Sequence, residues 1–197
     1  MKNTIAVVLS LLVVAASAKG QNAKPEFLTA PASWQFERFA LPPSFETTFP
    51  YTGVEELRFS PGMFVKDSAN YFSYAFIARL DHTTVFTGEE IKNYLLKYFK
   101  GLCASTAKQR NLTIDTSQIN VSLEKSSSGP STYNAVLNIF GVFADGAPVT
   151  LNAEIKVLSD SKSQKTYLVY IASPQKKTQD IWRQLYEIQK GFTLSGS

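Results

Sequence analysis

The segment PVTLNAEIKVL, residues 148 to 158, constrains the fold more than any other part of the chain. Its apolar and polar side chains occupy alternate positions: Val149, Leu151, Ala153, Ile155 and Val157 alternate with Thr150, Asn152, Glu154 and Lys156. Successive side chains of a strand point to opposite faces of a sheet, so this pattern predicts a strand with one buried face and one wet face. A sheet that is wet on one side is typical of antiparallel pairing.

The segments on either side extend this strand into a predicted meander. QINVSLEK at 118 to 125 and YNAVLNIFGVF at 133 to 143 show the same period of two, and TYLVYIAS at 166 to 173 is the last strand. ADGA at 144 to 147 contains Asp-Gly, which favours a two-residue hairpin turn. Residues 118 to 172 therefore predict consecutive antiparallel strands.

Further strands are predicted in the first half of the chain. VEELRFS at 54 to 60 ends at the turn signal SPG, and NYFSYAFIARL at 70 to 80 is apolar at both alternating sets of positions. The second of these is typical of a central strand that is covered on both faces. WQFERFAL, at 34 to 41, predicts a short edge strand that stops at Pro42 and Pro43, because proline donates no hydrogen bond to a neighbouring strand.

Two helices are marked by their ends and by their apolar stripes. TGEE at 87 to 90 predicts a capping box, with Thr87 as N-cap and Glu90 at N3. The stripe of this helix is Ile91, Tyr94, Leu95, Tyr98, Phe99 and Leu102. The second helix is predicted to begin with Ser173 as N-cap and Pro174 at N1. Its stripe is Ile181, Leu185, Ile188 and Phe192.

These elements predict an α+β fold with a mainly antiparallel β-sheet of about five to seven strands. Two main α-helices pack on one face of that sheet. The length of 197 residues fits one domain. We expect a signal peptide at 1–18, a leader or arm at 19–50 that contains the short edge strand, and a single α+β domain at 51–197.

The N-terminus predicts export from the cell. A positive residue, Lys2, precedes the apolar run IAVVLSLLVVAA at 5 to 16, and ASA at 16 to 18 predicts cleavage after Ala18. The run is shorter than the roughly 20 residues of a membrane-spanning helix. We therefore expect a periplasmic or extracellular protein without a transmembrane segment in its mature form.

The single cysteine, Cys103, is interpreted as a small buried hydrophobic residue on the first helix.

Composition argues against several kinds of chemistry. One histidine and one cysteine are too few for a zinc site, so no metal and no cofactor are expected. The net charge of +4 is mild and scattered, so we expect no nucleic-acid partner.

Glu55 and Glu56 are neighbours on one strand and therefore point to opposite faces. Glu56 and Arg58 share a face, which predicts an ion pair on an edge strand.

The stretch RLDHTTVF at 79 to 86 holds the only histidine, His82, directly after Asp81. One hypothesis makes Asp81 and His82 the working residues of a small hydrolase. The competing interpretation is that DHTT forms a polar turn that leads into the first helix. Asp81 is poorly placed to orient the ring of its sequence neighbour, which favours the turn.

Three segments together resemble a family of exported bacterial proteins of unknown function: GVEELRFSPGMF at 53 to 64, YFSYAF at 71 to 76 and EEIKNYLLKYFKGLC at 89 to 103. The ending YLVYIASPQKKTQDIWRQLYEIQKGFTL resembles the last strand and helix of PsbP-like domains. This second resemblance implies an antiparallel sheet between helices. It also implies a role as a binding or assembly factor.

Aromatic residues make up 13% of the chain and suggest how a ligand is held. The main hypothesis is an exported, noncatalytic binding or assembly module that recognises a protein, peptide or lipid-like ligand through a sheet face or groove. Tyr74 and Phe76 are its candidate ligand-binding residues. Its partner is then an envelope or extracellular protein, or a small apolar ligand. The alternatives are the hydrolase built on Asp81 and His82, and a purely structural envelope component.

Overall fold

Seven strands and two main helices follow one another along the residues that the computed structural model describes, 24–83 and 86–194. Their bounds are β1 Gln35–Leu41, β2 Gly53–Phe59, β3 Tyr74–Leu80, α1 Gly88–Gln109, β4 Asn120–Lys125, β5 Thr132–Phe140, β6 Pro148–Asp160, β7 Lys165–Ser173 and α2 Asp180–Gly191. A short 3-10 turn, Thr116–Gln118, precedes β4. The predicted signal peptide at 1–18 lies outside the described residues.

The strands form one antiparallel sheet in the order β1-β2-β3-β7-β6-β5-β4. Two meanders, β1 to β3 and β4 to β7, meet where β3 pairs with β7. Helix α1 carries the chain from β3, in the middle of the sheet, to β4 at its edge. This confirms the predicted α+β fold with an antiparallel sheet and two main helices.

The two helices lie on opposite faces of the sheet. On β3 and β7, Phe76 pairs with Tyr170 on the face that packs with α1, while the next pair, Ile77 and Val169, packs with Trp182 of α2. The prediction that both helices share one face is therefore wrong. Both alternating sets of residues on β3 and β7 are apolar, so each face of these central strands needs its own cover.

Helix α1 begins as its sequence predicts. The backbone N–H of Glu90 donates to Thr87 Oγ1 at 3.2 Å, and the N–H of Thr87 donates to the Glu90 carboxylate at 2.7 Å. These two bonds satisfy two of the free amides of the first turn and confirm the capping box. The stripe from Ile91 to Phe99 is buried against the sheet, and its apolar members Ile91, Leu95 and Phe99 each stabilise the fold by about 1.5–3 kcal/mol.

Helix α2 begins later than predicted. Its N-cap is Gln179, whereas Ser173 is the last residue of β7 and pairs with Asn152 of β6. The Ser173 hydroxyl lies 2.7 Å from Ser73 Oγ and accepts a bond from the Gln175 amide at 3.0 Å. Pairing with β6 thus overrides the local serine-proline signal. The predicted stripe of α2 is confirmed, with Ile181, Leu185, Ile188 and Phe192 all buried.

The turn between β5 and β6 is wider than the predicted two-residue hairpin. Pairing stops at Phe140 and Pro148, and the Gly141 amide donates to Ala147 O at 2.7 Å across the loop. Val142 and Phe143 are buried, so the loop leaves the sheet to place these side chains in the core. The prediction failed because Asp-Gly sits inside this longer loop.

The segment before β1 is fixed to the sheet by a buried ion pair. The Glu56 carboxylate accepts bonds from the backbone amides of Glu26, Phe27 and Leu28, with the shortest at 2.8 Å. Arg58 lies 3.2 Å from Glu56 and donates to Leu28 O at 2.6 Å. Both side chains are buried and β2 is an interior strand. The predicted ion pair is therefore confirmed, but its predicted place on an edge strand is wrong.

Candidate functional site

The two residues predicted to bind a ligand lie in a closed aromatic layer between the sheet and α1. Tyr74 is 3% exposed and Phe76 is fully buried. The Phe76 ring stacks on Tyr170, with centroids 4.5 Å apart, and on Tyr98 of α1 at 5.7 Å. These contacts make Tyr74 and Phe76 part of the packing beneath α1. Neither residue lines either of the two surface depressions described below.

A carboxyl group lies inside this aromatic layer. Glu55 is fully buried, and its Oε1 accepts a bond from the Tyr98 hydroxyl at 2.6 Å. Glu55 Oε2 and the Tyr94 hydroxyl make no hydrogen bond to a described atom, and the hydroxyls of Tyr74 and Tyr170 interact with each other. We call these five residues the buried tyrosine cluster. Few buried polar atoms in folded proteins lack a partner, so their convergence marks this layer as unusual.

Burial sets the protonation state of the cluster. It raises the pKa of Glu55 to about 8, with the Tyr98 hydrogen bond opposing this change and the nearby Glu37 charge adding to it. Burial also raises the pKa of Tyr94 and Tyr98 well above the ordinary value. At neutral pH the carboxyl is therefore protonated and the cluster carries no charge. Buried acids with a strongly altered pKa occur at functional sites and also in structural networks.

Sequence reasoning missed Glu55 because it asked only whether two neighbouring acids converge. They do not: Glu55 faces α1, and Glu56 faces the segment before β1. A signal was nevertheless present. Glu55 occupies the same face of β2 as the buried Leu57, so an acid there lies opposite the apolar stripe of α1. Its partner Tyr98 was assigned to that stripe as an apolar residue.

The structure places Asp81 and His82 in a surface turn. The Asp81 carboxylate accepts bonds from Lys165 at 2.8 Å and from Arg79 at 3.3 Å, and these cations lower its pKa. The His82 ring stacks on Tyr51, with centroids 5.9 Å apart. The described contacts of Asp81 therefore join it to two cations, and those of His82 join it to an aromatic ring. These contacts give no support to a hydrolytic pair.

Cys103 is fully buried, as its place on the helix predicts. Burial raises the pKa of its thiol to about 11, so the reactive thiolate is scarce at neutral pH.

Among the described residues, no three or more histidines, cysteines or acids gather in an arrangement suited to a metal ion. Within 24–83 and 86–194, no helix has both the length and the hydrophobicity that a bilayer crossing requires.

One part of the sheet lacks a helical cover on the side of α2. Helix α2 packs mainly on β7 and β3, which leaves this side of β4, β5 and β6 accessible. We call this surface the open face; its uncharged members are Asn120, Ser122, Asn134, Val136, Asn138, Thr150 and Asn152, and Glu124 and Lys156 lie on it toward one end. Val136, at its centre, is 40% exposed. The immediate neighbours of this accessible aliphatic side chain are therefore uncharged amides and hydroxyls, and the charged side chains lie farther away.

Hydrogen bonds between side chains order the open face. Asn138 Nδ2 donates to Asn120 Oδ1 at 3.0 Å, and Thr150 Oγ1 donates to Asn138 Oδ1 at 2.8 Å, so one row spans β4, β5 and β6. At the border with α2, Lys177 Nζ donates to Asn134 Oδ1 at 3.1 Å. Thr150, Asn152 and Lys156 of the predicted wet face of β6 belong to this surface, whereas Glu154 is buried.

Two surface depressions, each of about 500 Å³, border the open face. One follows the outer side of α2 and is lined mainly by charged side chains, among them Asp180, Arg183 and Lys190. The other, which we call the β4 groove, lies between the start of α1 and β4, and is lined by Gly88, Glu89, Lys92, residues 121–125 and Tyr133. Both are mixed in charge.

Comparisons with known proteins leave the geometry as the guide to function. No protein-family model, curated protein or solved structure matches this chain.

Proposed function

We propose that this protein is exported and acts without catalysis, as a binding or assembly module that takes a protein or peptide ligand on the open face. The observation that carries the proposal is the accessible Val136 within a surface of amides and hydroxyls. A partner is an envelope or extracellular protein, since the N-terminal sequence predicts export.

The chemistry of the open face supports this use. Amide and hydroxyl side chains both donate and accept hydrogen bonds, so they match the polar groups of an extended peptide. The centres of protein interfaces are depleted in charge relative to the remaining surface. The chain carries 20 basic and 16 acidic residues, yet the nearest neighbours of Val136 on this face are uncharged: Ser122, Asn134, Asn138 and Asn152. The row of hydrogen bonds from Asn120 to Thr150 holds three of these side chains in place before a ligand arrives.

A matched pair of variants tests the proposal. Val136→Arg places a charge at the centre of the open face, and Val65→Arg places the same charge at an exposed valine elsewhere, in the 60–70 turn. Each variant and the wild-type protein are used to capture partners from the native periplasm or culture medium, and the captured proteins are quantified by mass spectrometry. We expect a partner that Val136→Arg loses and Val65→Arg retains. Equal capture by the two variants would exclude the open face as the binding surface.

A further inference from the structure

Glu154 lies at the border between the open face and α2, on the same side of β6 as both. Its neighbours across the sheet are Asn134 of β5 and Ile171 of β7, and Ile171 belongs to the apolar cluster beneath α2. The Glu154 side chain is only 8% exposed, and its carboxylate makes no hydrogen bond to a described residue. Burying a carboxylate without a hydrogen bond costs free energy, so the fold alone does not account for this group.

Lys177, in the loop before α2, is the charged residue that acts on Glu154. Burial raises the pKa of Glu154, and the Lys177 charge opposes this rise. The Lys177 ammonium group has other partners: it donates to Asn134 Oδ1 at 3.1 Å and lies 5.5 Å from the centre of the Trp182 ring. Lys177 therefore attracts the Glu154 charge without donating a hydrogen bond to it. The two side chains place an acceptor and a donor near each other at the border of the open face.

We propose that Glu154 and Lys177 together bind one amide group of a peptide on the open face. The inference rests on the proposed use of that face, and it names a group that the peptide must present. The Glu154 carboxylate accepts the amide N–H. Lys177 carries three N–H groups, so one of them can donate to the amide carbonyl while another remains with Asn134. Hydrogen bonds to charged groups are the stronger ones, so the bound peptide gives Glu154 the partner that the free protein lacks.

The charges around Glu154 favour a neutral amide over a charged side chain of the peptide. Lys156 lies two residues from Glu154 on β6 and therefore on the same face, and Lys177 is the second nearby cation. A lysine or arginine of the peptide would be attracted by one carboxylate and repelled by two ammonium groups. An acidic side chain would be repelled by Glu154 itself. An amide has no net charge and offers both a donor and an acceptor, which matches a carboxylate near an ammonium group.

The position of Glu154 relative to Val136 lets one peptide reach both. Val136 pairs with Asn152, and Glu154 is two residues farther along β6, so Val136 and Glu154 are diagonal neighbours on one face. Side chains in this relation have Cβ atoms about 7 Å apart. An extended chain advances about 3.3 Å per residue. A peptide that covers Val136 therefore reaches Glu154 within two or three of its own residues.

Selection from a random linear peptide library displayed on phage tests the amide site. Peptides are selected on the immobilised mature chain, and their affinities are measured for wild type, Val136→Arg, Glu154→Leu and Glu124→Leu. We expect peptides that lose binding to Val136→Arg and bind Glu154→Leu at least about tenfold more weakly than wild type, because a hydrogen bond to a charged group is lost. Glu124 is the matched control, since it is an exposed acid that is also a diagonal neighbour of Val136. An equal loss in Glu124→Leu would overturn the assignment to Glu154.

Changes in a selected peptide identify the amide. Each backbone amide is N-methylated in turn, and each asparagine or glutamine of the peptide is replaced by leucine. We expect one of these changes to weaken binding to wild type and to leave binding to Glu154→Leu unaltered. An N-methylation with this effect assigns the group to the peptide backbone, and a side-chain replacement assigns it to a carboxamide. A peptide that needs a lysine or arginine for its preference for wild type over Glu154→Leu would overturn the proposal.

Stability separates binding from a structural role of Glu154. Because its carboxylate makes no described hydrogen bond, Glu154→Leu should unfold at the same denaturant concentration as wild type or at a higher one. A less stable variant would assign Glu154 to the fold and overturn the proposal. Peptides that are lost with Val136→Arg but bind Glu154→Leu as well as wild type would overturn the amide site alone. A library that yields no peptide sensitive to Val136→Arg would overturn the open face as the ligand site, and the amide site with it.

Discussion

Replacing Glu55 with glutamine changes how the stability of this protein depends on pH. Burial raises the pKa of Glu55 from 4.5 to about 8. Because a tenfold change in proton affinity corresponds to about 1.4 kcal/mol, keeping this group protonated at pH 7 costs the folded state about 3 kcal/mol relative to the unfolded chain. Glu55→Gln retains a carbonyl oxygen that can accept the Tyr98 hydrogen bond and removes the ionisable group.

The sign of the effect follows from proton binding in the two states. Below pH 4.5 Glu55 is protonated in both the folded and the unfolded protein, so the stability of the fold does not depend on its titration there. As pH rises toward 8, the unfolded chain loses this proton while the folded protein keeps it, and the free energy of unfolding falls. Above the folded pKa the loss is complete, and it amounts to about 5 kcal/mol.

Denaturant unfolding of the mature chain at about pH 4 and about pH 8.5 measures this effect. At the lower pH we expect Glu55→Gln to match the wild type or to be less stable by about 1–3 kcal/mol, since the added amide N–H groups lack partners. At the higher pH the variant should be the more stable protein. Glu124→Gln, on the exposed edge strand, is the control. A stability difference between Glu55→Gln and wild type that stays constant with pH would refute the reasoning.

Three further predictions test the other buried groups. Glu56→Ala leaves Arg58 without its acidic partner and should lower the free energy of unfolding by about 3–5 kcal/mol. Limited proteolysis of this variant should then cut within residues 24–34. If that segment resists proteolysis as well as it does in the wild type, Glu56 does not fix it to the sheet. Tyr98→Phe removes the hydrogen bond to Glu55 and should lower the free energy of unfolding by about 1–3 kcal/mol. Tyr94→Phe should lower it less, because the Tyr94 hydroxyl lacks a described partner. The opposite order of the two variants in chemical denaturation would contradict the stabilising role of the bond between Tyr98 and Glu55. Cys103 should react with a thiol reagent only after unfolding, and rapid labelling of the native protein would show that the thiol is accessible.

The strands and helices of this fold were predictable because their signals are local. A period of two marked β6, and a capping box marked the start of α1. The predictions failed where contacts between segments far apart in the sequence determine the structure. Ser173 belongs to β7 because β6 pairs with it, and the period of a helix does not reveal which face of a sheet it covers. The wider β5–β6 turn follows from the burial of Val142 and Phe143.

The candidate sites were less predictable than the fold. The members of the buried tyrosine cluster come from β2, β3, β7 and α1, so only the folded chain brings Glu55 to Tyr98. The open face was foreseen only as the wet side of β6, because its extent depends on where α2 lies. Tyr74 and Phe76 were chosen for their aromatic character, but packing against α1 encloses them.

The positions of the buried tyrosine cluster and of the open face predict that they act independently. Glu55 faces α1, whereas Val136 faces the opposite side of the same sheet. Ionising Glu55 places a charge beneath α1 and weakens the packing of that helix, but it adds no contact on the ligand side. Partner capture by Glu55→Gln should therefore equal that of the wild type at neutral pH, although the stability of the two proteins differs. A change in capture with Glu55→Gln would instead mean that the ligand site includes the α1 side of the sheet.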